Sequence, residues 1–152
     1  MRKLILIVAL VFISNTIFAQ QSVFDKFDGQ DRVTSVIVNK KMFSLLSKMK
    51  VEDKETQQYV NLIKKLDNLK VFVTDSDVKA TEMKATADKY MKTAALEELM
   101  RINEKGKSVK IYVKSGATSS KVKELLMFIE GGSSKDDDTV LMSLTGNFDL
   151  NE

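Results

Sequence analysis

Apolar residues run unbroken from Leu4 to Ile13, after the basic Arg2-Lys3 and before the polar Ser14-Asn15-Thr16. Ala19 then offers a small residue just ahead of Gln20. A basic start, a short apolar stretch and a small residue at the end make a cleavable export signal over residues 1–19. Ten apolar residues fall short of the ~20 needed to cross a bilayer. The region 20–32 is polar, with two Phe and one Gly, and reads as a lead-in.

From Val33 the pattern is that of a folded domain. Val33 to Val38 is β-branched and predicts a strand. Met42, Leu45, Leu46 and Met49 fall at helical spacing, predicting a helix from Lys40 to about Lys50. Tyr59, Leu62, Ile63 and Leu66 share one face of a second helix, with Asp53 placed to cap it. Leu69 to Thr74 alternates and predicts a strand. Asp75-Ser76-Asp77 offers caps for a third helix, whose apolar face is Met83, Ala87, Tyr90 and Ala94. Leu96, Leu99 and Met100 continue that period, so residues 78–104 read as one helix or two, stopped by Gly106. Val109, Ile111 and Val113 alternate with Lys110, Tyr112 and Lys114, predicting a strand with one buried face. Residues 115–120 form a loop. The short, nearly continuous apolar run at 122–130 fits a helix or a strand, and Gly131-Gly132 with the strand-like 139–145 favour a hairpin around a loop at 131–138. The expected class is α+β: an antiparallel or mixed sheet of about four to five strands, with amphipathic helices packed on one face. Residues 33–152 form a single domain.

Composition narrows the function. The chain has 152 residues and a net charge of +3, of which removal of residues 1–19 takes two charges with Arg2 and Lys3. Lysines are spread along the chain beside Glu and Asp, so no nucleic-acid footprint forms. There is no His, Cys, Trp or Pro. Without Cys the domain relies on packing rather than disulfides and has no lipid-modified cysteine. Without His or Cys, ordinary zinc, copper and haem sites cannot be assembled, nor can serine–histidine or cysteine–histidine catalysis. Carboxylate chemistry, a Ser–Lys pair and oxygen-ligated calcium survive.

The densest acidic group is Asp136, Asp137 and Asp138. Three oxygen ligands suit Ca²⁺. The spacing, however, lacks the alternating acidic loop and distal Glu of a calcium-binding hand, and a hydrated hairpin tip accounts for the run equally well. No cofactor or metal is expected, and these three residues are the candidate site if calcium binds. Ser115 to Lys121 superficially resembles a phosphate loop but has one glycine and no hydroxyl residue after its lysine. Met42, Met49, Met83, Met91 and Met100 are expected to fill the core, with an adaptable ligand groove as the alternative. The same core role is expected of Phe43, Phe72, Tyr90 and Phe128. The pairs Lys54-Glu55, Glu97-Glu98 and Lys123-Glu124 read as solvated surface rather than as acid–base partners.

Six segments, in order, carry a resemblance. They are Val33-Thr34-Ser35-Val36 leading to Lys41-Met42-Phe43, then Leu66 to Val71, Glu97 to Met100, Val109 to Lys114, Lys123 to Leu126 and Thr145 to Leu150. Together they resemble the exported bacterial proteins grouped as domain of unknown function 4252. The resemblance implies export and a single domain over nearly all of the chain after the signal. It brings no catalytic residue with it.

Two functions follow as expectations. The first is a non-enzymatic binding or structural module of the bacterial cell envelope, periplasmic or secreted, acting through a sheet edge or an apolar groove. Its partner is an envelope protein or peptide, and strand addition is one means of recruiting it. The second is a small carboxylate-dependent hydrolase or glycan-active protein. A deep pocket with two converging carboxylates favours the second, and an exposed apolar patch favours the first.

Overall fold

The computed structural model describes residues 22–131 and 137–151. The predicted signal over 1–19 lies outside the described residues. Six strands form one antiparallel sheet. They are β1 (Val33–Asn39), β2 (Leu66–Thr74), β3 (Glu97–Glu104), β4 (Lys107–Ser115), β5 (Lys121–Glu130) and β6 (Thr139–Asp149). Helices α1 (Lys40–Leu46) and α2 (Lys54–Ile63) join β1 to β2, and α3 (Asp77–Thr93) joins β2 to β3. The spatial order is β1-β2-β6-β5-β4-β3. The last strand therefore closes the sheet, pairing with β2 on one side and β5 on the other.

The sheet has six strands because residues 97–104, expected to be helical, form β3 instead. Helix α3 stops at Thr93. Ala95 takes a left-handed conformation (φ 52°), and the Leu96 amide bonds back to the Met91 carbonyl at 3.0 Å. That is a Schellman stop built on alanine rather than the usual glycine. Gly106 does not end a helix. With Lys105 it forms the two-residue turn between the paired Glu104 and Lys107, both residues at positive φ (48° and 82°), the geometry favoured by tight hairpins.

Two clusters fill the core, on opposite faces of the sheet. Phe72, Leu126, Phe128 and Leu141 point to one face and meet Met83, Ala87 and Met91 of α3. Phe24 and Phe27, fully buried, complete this cluster. The stretch expected to be a polar lead-in thus contributes two of the most deeply buried aromatics, held over the sheet by a turn at Asp25–Phe27 and an ion pair from Asp25 to Lys70. On the other face Phe43 of α1 and Leu62 and Ile63 of α2 pack on Val113, Leu69, Leu125 and Leu144. Helices therefore cover both faces, not one. β-bulges in β2, β5 and their partners at this end turn Leu66, Val122 and Phe148 toward the α1–α2 pair. Leu66, expected on α2, opens β2.

Both helices for which an N-cap is predicted have one. Asp53 accepts the Thr56 amide at 2.7 Å. Ser76 caps α3, which frees Asp75 to bind Arg32 at 2.9 Å. The unpredicted cap is Asn39 on α1, accepting the Met42 amide at 3.1 Å.

Candidate binding surface on the uncovered sheet face

Strand register defines the surface. One row crosses all six strands as Ile102, Val109, Ile129, Val140, Val73 and Thr34. The next row is Met100, Ile111, Met127, Met142, Val71 and Val36. Eleven of these twelve side chains are apolar and none is charged. The row beyond them, Val113, Leu125, Leu144, Leu69 and Val38, lies beneath α1 and α2. The two rows themselves belong to neither core cluster. Val36, Met100 and Ile102 are 51, 43 and 46% exposed, and the remaining apolar members are half-buried by their neighbours in the sheet alone.

The opposite face makes the contrast clear. Where α3 leaves β3 and β4 uncovered, that face carries Glu98, Arg101, Ser108 and Lys110, with Tyr112 donating to Glu98 at 2.9 Å. This is the ordinary polar dress of a solvated sheet face. On the same two strands the other face shows water Met100, Ile102, Val109 and Ile111. Six strands ~4.8 Å apart and two rows of side chains span a plane of about 24 by 13 Å. That is a contiguous apolar patch of roughly 300 Å², the size at which monomer patches are often functional.

The titratable groups lie elsewhere. Tyr90 of α3 donates to Glu124 at 2.6 Å, and Glu124 is 7% exposed. Burial, ahead of this hydrogen bond, pushes the Tyr90 phenol far above its usual range. Burial likewise raises Tyr112, with Glu98 adding to it. The hydrogen bond from Arg101 holds Glu98 below the usual carboxylate range, and Arg32 does the same for Asp75. A small cavity of about 200 Å³ gathers Asp77, Glu130 and Asp137. There Lys84 binds both Glu130 oxygens at 2.6 and 2.8 Å, and Lys107 pairs with Asp137. Larger concavities of about 670 and 530 Å³ are lined by Gln58, Tyr59 and Leu62 of α2, and by Lys26 with Glu82 and Lys89 of α3.

The sequence-predicted sites fare unevenly. Asp136 lies outside the described residues. Asp137 is paired with Lys107, Asp138 is exposed, and no cluster of three metal-ligating side chains forms among the described residues. The loop 115–120 is a turn closed by the Gly116 amide on the Lys121 carbonyl at 2.6 Å. Met83 and Met91 fill the core as expected, as do Phe43, Phe72 and Phe128. Met42, Met49 and Met100 do not, being 47, 62 and 43% exposed. Met100 sits on a strand whose partner covers only one side of it, and α1 ends before Met49 can join a helical face. Met127 and Met142, which no sequence argument singled out, stand side by side at the middle of the bare face.

A family model for a domain of unknown function, DUF4252, matches residues 27–152. The chain belongs to the DUF4252 family. No curated protein matches it, and no solved structure does. In this DUF4252 chain the matched stretch spans every strand and helix described above, together with Phe27. No helix among the described residues is long and apolar enough to cross a membrane.

Proposed function

We propose that this DUF4252 chain is a non-enzymatic binding module of the bacterial cell envelope, exported by its N-terminal segment, which takes an apolar partner on the uncovered face of its sheet. One observation carries the reading: two complete rows of side chains, apolar in eleven positions of twelve, stand in register on a face that no helix among the described residues covers. An isolated domain gains nothing from such a face, since water against apolar surface is unfavourable by about 25 cal/mol per Å². Polar residues at the equivalent uncovered positions of the opposite face argue that the chain can dress a face for solvent where solvent is its neighbour. The carboxylate-dependent alternative draws little support. Glu130 and Asp137, which line one small cavity, are each held by a lysine.

The test is site-specific photocrosslinking in the intact envelope. A photoreactive residue at Met127 or Ile111 yields a discrete adduct, whereas one at Thr81, on the exposed side of α3, does not. Equal labelling from all three positions, or none from any, contradicts the reading.

A further inference from the structure

The two edges of the sheet are built differently. β3 carries Glu97, Glu98, Arg101 and Glu104, and a bulge interrupts its pairing between Glu98 and Met100. Charge and irregularity of this kind keep an edge from pairing with another chain. β1 has neither. Its seven residues, Val-Thr-Ser-Val-Ile-Val-Asn, carry no charge and no proline and pair with β2 in unbroken register from Val33 to Asn39. Val36 and Ile37 are 51 and 45% exposed on opposite faces, so the middle of the strand is open on both sides. Among the described residues, and apart from its ladder with β2 and the first turn of α1 that follows it, the backbone hydrogen bond that reaches β1 is that of the Val33 amide to Gln30 at 3.2 Å.

We propose that β1 pairs with β1 of a second copy of this chain, antiparallel, about a two-fold axis at Val36. The side-chain pattern puts the axis at a residue rather than between two, and Val36, the middle of the seven, is the centre that pairs them all. Antiparallel partners share a face, so the residue numbers of each pair must sum to an even value if the apolar faces of the two copies are to lie on the same side. Centring on Val36 sets Val36 against Val36, Thr34 against Val38 and Ser35 against Ile37. The bare face then continues from one copy into the other, and β-branched residues meet across the strands, a favourable pairing. The strand ends bring Arg32 near Lys40 of the second copy. These cations do not oppose the pairing, because Arg32 is bound to Asp75 and Lys40 to Asp67 at 2.8 Å within each chain. A ribbon of seven residues is ~23 Å long and buries less than a standard interface, so the dimer is weak and concentration-dependent. The inference stands apart from what, if anything, binds the apolar face.

The absence of cysteine makes the register measurable. Facing residues of an antiparallel pair have Cα atoms ~4.5 to 5.5 Å apart, within disulfide reach. Val36→Cys crosslinks to itself under mild oxidation, increasingly with concentration. Thr34→Cys alone does not, but a mixture of Thr34→Cys with Val38→Cys gives the mixed dimer. Sedimentation of Ile37→Lys, which places two charges beside the axis at an exposed position, shows monomer at concentrations where the wild type self-associates. The pairing is overturned if Val36→Cys crosslinks no more than a Thr118→Cys control in the exposed loop. A wild type that stays monomeric at every concentration overturns it as well. Self-crosslinking strongest at Thr34→Cys or Ile37→Cys overturns the register.

Discussion

Single residues in this chain divide sharply by what surrounds them. Phe72 is fully buried between Phe27 and the α3 methionines. Truncation to alanine removes a ring that the neighbours cannot replace, so Phe72→Ala loses about 3–5 kcal/mol in urea denaturation. Tyr90 presents a different case. Its hydroxyl is the partner of the buried Glu124 side chain, so Tyr90→Phe leaves a buried polar group without that bond and loses about 1–3 kcal/mol. The pH dependence has a definite sign. The folded state raises the Tyr90 phenol, so its stabilising contribution is whole below an ordinary tyrosine pKa of about 10 and is lost as pH rises beyond it. Wild-type stability therefore falls more steeply than that of Tyr90→Phe above about pH 10, which denaturant titrations at stepped pH will show. Residue identity alone announced Phe72, Phe43 and Phe128 as core. It did not announce Phe24 and Phe27, because two aromatics among polar neighbours carry no period.

Elements are where sequence reasoning and structure part most clearly. Leu96, Leu99 and Met100 fit a helical period, yet they leave α3 and enter β3. The deciding features are local backbone geometry and tertiary pairing: a left-handed Ala95 and a Lys105-Gly106 turn that seats Met100 and Ile102 opposite Ile111 and Val109. Short apolar runs do not distinguish helix from strand by period alone. The Ala95 stop leads to a prediction. Alanine in the left-handed region is strained where glycine is not, so Ala95→Gly raises stability by roughly 0.5–1 kcal/mol, seen as an increase in Tm. The strands β1, β2, β4 and β6 were legible from β-branched residues and alternation, whereas the nearly continuous apolar run of β5 fitted helix or strand and was favoured as a strand only by Gly131-Gly132 and the strand-like residues 139–145 beyond. The β5–β6 hairpin was legible as well, but the pairing of β6 with β2 was not, because it joins strands far apart in sequence.

At the scale of the molecule, the same alternation that revealed β4 also concealed its role. Val109, Ile111 and Val113 were readable as one apolar face, and burial was the natural expectation. Only Val113 receives a helical cover; Val109 and Ile111 join the bare rows. A strand's pattern tells which side is apolar, while what lies over that side is set by elements far away in sequence. Here α1 and α2 are too short to reach across the sheet, and α3 serves the other face. The central claim is that this face meets solvent in the isolated chain. The direct measurement is equilibrium denaturation of Met127→Glu, a charge placed at the middle of the two rows. The account predicts a native circular dichroism spectrum and a loss of no more than about 1 kcal/mol, the scale of strand-surface substitutions. A loss of about 3 kcal/mol or more, the signature of a charge forced into a covered core, contradicts it.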